Sequence, residues 1–183
     1  MPAEPLAVTP LELLWNGWRA TYVQSGGAAG GVHPDDTLSV FSRILQSGLP
    51  DSETHIVHRG TTMFVIMNAF PYAVGHMLVL PYREISDLED LTAEEQAELW
   101  CVVTDAVRVL KAVMRPGGVN VGLNLGEPAG GSVRQHLHVH VVPRWNGDSN
   151  FMTATANTRT LPEALPATAA KLREAWPSDT AAP

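Results

Sequence analysis

His136-Leu137-His138-Val139-His140-Val141-Val142 places a histidine at every second position and fills the positions between with aliphatic residues. Successive side chains of a β-strand point to opposite faces, so the three imidazoles share one face, about 7 Å from each to the next. Leu137, Val139 and Val141 share the other face and are expected to pack. An imidazole titrates near neutral pH and can act as nucleophile, proton donor or metal ligand, so the ridge points to phosphoryl or nucleotidyl transfer, or to a metal site. Two histidines at i and i+2 can share one ion, whereas the outer pair, about 14 Å apart on a straight strand, cannot do so without a bend. Nucleotidyl transfer suits the spacing: a central imidazole attacks phosphorus while its neighbours contact the phosphate oxygens or the leaving group.

Just upstream, Val119, Val121, Leu123 and Leu125 alternate with Asn120, Gly122 and Asn124. This pattern predicts a strand with one apolar face and one small polar face suited to a ligand. The glycine-rich turn Gly126 to Gly131 makes it the antiparallel neighbour of the histidine strand. Further upstream, Thr92-Ala93-Glu94-Glu95 is a capping box that opens a long helix with Leu99, Val103, Ala106, Leu110 and Val113 as its buried stripe, stopped by Pro116-Gly117-Gly118. Gly75 to Pro81 reads as a strand covered on both faces, and His55 to Asn68 as a hairpin about Arg59-Gly60. Asp36 is expected to open a helix ended by Gly48, and Pro162 a last helix through Leu172. Thr9-Pro10-Leu11-Glu12 caps a short docking helix bearing Trp15, Trp18 and Tyr22, followed by the glycine loop 26–31. The element order gives an α+β fold, an antiparallel sheet of about five strands with helices on one side.

With 183 residues, 45% of them hydrophobic, the chain suits one globular domain over 36–150, with the docking helix and loop in 1–35 and a packing loop and helix in 151–183. The net charge of −7 argues against nucleic acid as a partner but leaves room for a small anion held by backbone amides and local cations. Cys101 is the single cysteine, which excludes an internal disulfide or a multi-thiolate site and points to a reducing, cytoplasmic setting. MPAEPLAVTPLELLW does not read as a signal peptide, and no run of 18 apolar residues predicts a membrane span. His33, His55 and His58 read as surface residues; Trp15, Trp18, Trp100 and Trp176 read as core or interface.

His136-Leu137-His138-Val139-His140-Val141-Val142 also resembles the signature of the histidine triad (HIT) nucleotide hydrolases and transferases, and Asn68-Ala69-Phe70-Pro71-Tyr72-Ala73-Val74-Gly75-His76 resembles that superfamily's second motif. Leu14-Trp15 to Trp18-Arg19, Pro81-Tyr82-Arg83, Asn124-Leu125-Gly126, Gly130-Gly131-Ser132 and Pro143-Arg144-Trp145 sharpen the likeness toward the bacterial diadenosine tetraphosphate (Ap4A) phosphorylases. The resemblance implies a HIT-like fold and makes His138 the nucleophile of a nucleotidyl-histidine intermediate. His136 and His76 support it, His140 meets the phosphate or leaving group, and Asn68 binds ribose. Asn124, Gly131 and Ser132 match positions lining the phosphate pocket, with Ser132 donating to the departing oxygen.

Two positions depart from the family pattern. Ser39-Val40-Phe41-Ser42 stands where many members carry Cys-x-x-Cys and bind zinc, and hydroxyls are poor zinc ligands, so no metal or other cofactor is expected. Val139 stands where the phosphorylases often have a polar residue. The implied substrates are a purine nucleotide or dinucleoside polyphosphate and inorganic phosphate, giving ADP and ATP from Ap4A. A hydrolase or transferase of other nucleoside phosphoanhydrides, phosphoramidates or adenylylated metabolites is the alternative, as is a non-catalytic nucleotide-binding module. Asn124, the Gly130-Gly131 backbone and Ser132 offer hydrogen bonds to an oxyanion beside His138, and Arg144 is expected to add charge. The long apolar helix and the tryptophan-bearing N-terminal segment imply a homodimer or higher homo-oligomer.

Overall fold

The computed structural model describes residues 37–131, 133–148 and 162–177. The expected docking helix and glycine loop lie outside the described residues. Helix α1 (Val40–Gln46) starts later than the sequence predicts, because Ser39 is its N-cap and accepts from the Ser42 N–H. A short helix, α2 (Asp51–Thr54), follows, and His55 ends it in the left-handed region at φ 61°. Strands β1 (Ile56–Arg59) and β2 (Met63–Met67) form the predicted hairpin, with a register shift between Ile56 and His58. Glu98 ties down the turn by accepting from the N–H groups of Thr61 at 2.7 Å and Thr62 at 2.8 Å.

Strand β3 (Met77–Pro81) pairs with β2 over its full length, and every residue of both is buried, as a strand covered on two faces requires. Helix α3 (Ala93–Met114) carries the predicted capping box and ends at Arg115, which takes the left-handed conformation before Pro116. Its buried stripe is wider than the one read from the sequence, with Val102 and Val109 added and Val113 only partly buried. Strand β4 (Gly118–Leu123) is an edge, and β5 (Val139–Arg144) inserts between it and β3, giving the order β1-β2-β3-β5-β4 with every pairing antiparallel. Helix α4 (Leu165–Glu174) begins and ends later than expected, and its Arg173 donates to the carbonyls of Asp51 and Ile56.

Helices pack on both faces of the sheet, which corrects the expectation of helices on one side. Met63, Val65, Val79, Val139 and Val141 pack with Leu99, Ala106 and Leu110 of α3 and with Ala169 and Leu172 of α4. Phe64, Ile66, Leu78 and Leu80 pack with Phe41, Val40 and Ile44 of α1. The small amphipathic α1 has room to cover only part of that second face, which leaves its β4 end for chemistry. Among the described residues no helix is long and apolar enough to cross a membrane.

The predicted apolar face of β4 is only partly realised, since no residue of the strand is fully buried and Val121 is 42% exposed. His58 and Trp176 stack with ring centroids 4.7 Å apart, so His58 is half-buried rather than a surface residue. Trp176 is core, whereas Trp100 is 48% exposed.

Candidate active site

The histidine ridge is not one continuous strand. Strand β5 starts at Val139, so His136 and His138 precede the ladder and only His140 of the three is held by it, opposite Leu78 on one side and Gly122 on the other. The chain bends at His136, and the rings of His138 and His140 lean together to a centroid distance of 5.0 Å. All lie on the α1 face, where Phe41 meets the rings of His136 and His138 edge-on or tilted at 5.6 and 5.7 Å.

Two hydrogen-bond chains fix the tautomers. His76, fully buried at the start of β3, takes the Tyr72 N–H at its Nδ1 (3.1 Å), with the Asn68 amide nitrogen 3.3 Å away. An acceptor at Nδ1 leaves the proton on Nε2, which donates to Nδ1 of His140 at 2.9 Å. His140 therefore carries its own proton on Nε2; the Asn124 amide nitrogen lies 3.2 Å from it, and because two donors cannot pair, the amide must rotate to bring Oδ1 there as acceptor. Asn68 also receives the Phe70 N–H at 3.0 Å. The second chain holds His138. Its Nδ1 lies 2.8 Å from the main-chain carbonyl of His136, a group that can only accept, so Nδ1 bears the proton and Nε2 keeps a lone pair. Burial pushes the His138 pKa below the ordinary histidine value, so the ring is neutral and nucleophilic at neutral pH.

His136 is gripped at both nitrogens. Nε2 donates to the Pro81 carbonyl at 2.8 Å, which leaves Nδ1 to accept the Ser39 hydroxyl at 2.8 Å. Ser42 donates its hydroxyl to Glu84, and the Ser39 N–H donates to the same carboxylate oxygen at 2.9 Å. Burial lowers the His136 pKa despite the Pro81 bond and the Glu84 charge, which both work upward. For Glu84, burial acts upward, but the hydrogen bonds from Ser42 and Ser39 outweigh it and hold the carboxyl below its usual range.

These contacts decide whether zinc fits. Ser39 and Ser42 are tied into hydrogen bonds as hydroxyls, and neither ring nitrogen of His136 has a lone pair to spare. The donor set does not suit zinc, and among the described residues no group of three or more His, Cys, Asp or Glu is arranged to hold a metal ion.

The small polar face of β4 lies beside His140. Gly122 stands opposite it in register, and a Cβ at Gly122 would meet nothing within 4 Å, so the backbone there faces open space. Gly131 is the reverse case, for a Cβ would sit 2.9 Å from the Asn124 carbonyl and 3.0 Å from that of Gly126. The loop can press against the end of β4 only because this residue has no side chain. Ser132 lies outside the described residues. Arg144 is paired at three nitrogens: Nε and Nη2 bind Asp148 at 2.6 and 2.8 Å and Nη1 binds Asn120 at 2.9 Å. Arg144 in turn holds the Asp148 carboxyl down to about 2. Its charge is compensated locally by Asp148.

Glu84 joins the site without a motif to announce it, and Tyr72 and Ser39 join it from motif stretches that assign them no role of their own. Tyr72 stacks on His140 at 5.8 Å with the rings 16° from parallel. Val139, the departure noted above, is fully buried in the α3-side core, so it bears on packing and not on the phosphate site.

A HIT domain model matches residues 50–147. The chain therefore belongs to the HIT family, and with it to the enzymes that hydrolyse or transfer nucleotides. The AP-4-A phosphorylase of Mycobacterium tuberculosis (strain ATCC 25618 / H37Rv) is 44% identical to it over 171 residues, 91% of this chain and 85% of its own. A Hit-like protein involved in cell-cycle regulation from Bartonella henselae matches its structure with a TM-score of 0.63 at 26% identity, over 76% of this chain and 97% of its own. A Zn-bound histidine triad family protein from Mycobacterium smegmatis gives 0.60 at 28% identity, over 75% and 91%.

Proposed function

We propose that this protein is a phosphorylase that cleaves diadenosine tetraphosphate to ADP and ATP through a nucleotidyl-histidine on His138. The observation that carries the reading is the Nδ1–H of His138 locked onto the His136 carbonyl, which leaves the Nε2 lone pair for phosphorus. Nε2 attacks the α-phosphorus of one adenosine, the N–P bond forms, and the bond to the bridging oxygen breaks. His140, protonated on Nε2, passes its hydrogen bond from Asn124 to that oxygen as ATP leaves. Inorganic phosphate then attacks the adenylyl group and releases ADP and His138. Neither step draws on a metal ion bound by Ser39, Ser42 and His136, whose donors do not suit one.

The choice of phosphate over water rests on the open space at Gly122 opposite His140 and on the Asn124 amide, which has an N–H left to donate once Oδ1 faces His140. The 44% identity to a phosphorylase supports the same choice. Incubating the protein with diadenosine tetraphosphate, with and without phosphate, and weighing the products tests it. ADP plus ATP formed only with phosphate is expected. AMP plus ATP in buffer alone replaces the reading with a hydrolase, and no cleavage at all removes this substrate. Activity should survive exhaustive chelation and gain nothing from added zinc.

A further inference from the structure

We propose that Glu84 is a positioning residue for the nucleophile, acting through Ser42, Ser39 and His136 on the ring of His138. Because His138 lies outside the sheet ladder, its place is not set by strand pairing. What holds it is the end of β3 and the segment that follows. The Pro81 carbonyl takes Nε2 of His136, Glu84 takes the Ser42 hydroxyl and the Ser39 N–H, and the Ile85 carbonyl takes the Leu137 N–H at 2.6 Å. Three residues within five positions thus grip the two residues just before the nucleophile, directly or through the serines.

Within this cradle the protons run one way. His136 gives its Nε2–H to Pro81 and so must accept at Nδ1 from Ser39; Ser39 Oγ is steadied by the Ser42 N–H at 3.0 Å; Ser42 spends its own hydroxyl proton on Glu84. A carboxylate is the acceptor that closes the chain, and a carboxyl held below its usual range stays ionised to do so. Remove it, and the serine hydroxyls can reorient, His136 can turn, and the carbonyl that fixes the His138 tautomer moves with it. A nucleophile misplaced or in the wrong tautomer loses turnover while substrate contacts elsewhere survive.

The proposal rests on His138 being the nucleophile of the reaction above, and its test reads the ring and the reaction separately. In the full-length protein labelled with 15N-histidine, ring nitrogen shifts give the His138 tautomer, and phosphorolysis of diadenosine tetraphosphate gives kcat and KM. Glu84→Ala and Ser42→Ala should each populate the Nε2–H tautomer of His138 and lower kcat by about ten- to a hundredfold with KM held. Glu84→Gln, which keeps an acceptor oxygen, should restore most of both. If Glu84→Ala does not fold, as judged by near-UV circular dichroism, Ser42→Ala decides. Folded variants with the parent tautomer and parent kcat overturn the proposal, as does a Glu84→Gln variant as impaired as Glu84→Ala. A parent protein that cleaves no dinucleotide overturns the proposed reaction alone, and the ring spectra then decide the cradle.

Discussion

His138 has one nitrogen committed to a main-chain carbonyl and the other held ready, a division that only a neutral ring can keep. Replacing it with asparagine should remove turnover by about 10⁴-fold or more while leaving nucleotide binding intact. Equilibrium binding of ATP beside the kinetic assay checks this. The pH profile follows from the same ring. Burial lowers the pKa of His138 and of His136, so both stay neutral below the ordinary histidine value of about 6.5. The acid limb of kcat/KM should therefore fall at a pH lower than that of a free imidazole. Stability carries the matching sign: between the depressed folded value and about 6.5 the unfolded chain binds more protons, so stability rises with pH across that window and is flat above it. An acid limb at or above the free-imidazole value would show that the ring is not desolvated as described.

Elements bring these residues within reach through close backbone approach and capping. Gly131 lets the loop after β4 touch the carbonyls of Asn124 and Gly126. Gly131→Ala should push the loop off, raise the KM for phosphate, and cost about 1–3 kcal/mol of stability. Phosphate titration and thermal unfolding read the two effects. Helix α3 supports the sheet from the far side, and its capping box joins Thr92 and Glu95 reciprocally. Thr92→Ala should lower stability by about 1 kcal/mol and leave kcat alone, because the helix faces away from the histidines. A change in kcat without a change in unfolding temperature would contradict that division of labour.

At the scale of the whole molecule, the apolar stripe of α3 is consumed by the sheet, so it supplies no surface for assembly, contrary to the reason first drawn from the sequence. Of the two edge strands, β1 and β4, it is β4 that has an exposed apolar residue, Val121, with one side of its backbone unpaired among the described strands. An edge of this kind is a template for a second copy across a twofold axis, which would continue the sheet. We expect a homodimer through β4, measured as twice the chain mass by light scattering at micromolar concentration. Val121→Lys should split it to monomer. A parent protein of monomer mass, or a dimer indifferent to that substitution, would remove β4 as the contact.

Local patterns determined a large share of this protein. Alternating apolar residues, the Thr92 capping box, the Arg59-Gly60 turn and the two histidine motifs are signals over a few neighbouring positions, where strand and helix periods differ sharply, so elements, family and the triad with His76 could be read directly. The start of α1 slipped because Ser39 and not Asp36 caps it, and that of α4 because no side-chain cap marks it. What only tertiary structure decided is every relation between distant segments. Inserting β5 between β3 and β4 brought His76 to His140, burying both sheet faces turned Val139 away from the site, and Asp148 claimed Arg144. Ser39 meets His136 across 97 positions, and Ser42 meets Glu84 across 42. Serine and glutamate are ordinary surface residues with no period of their own. Their role appears only when folding brings these donors and acceptors together out of water.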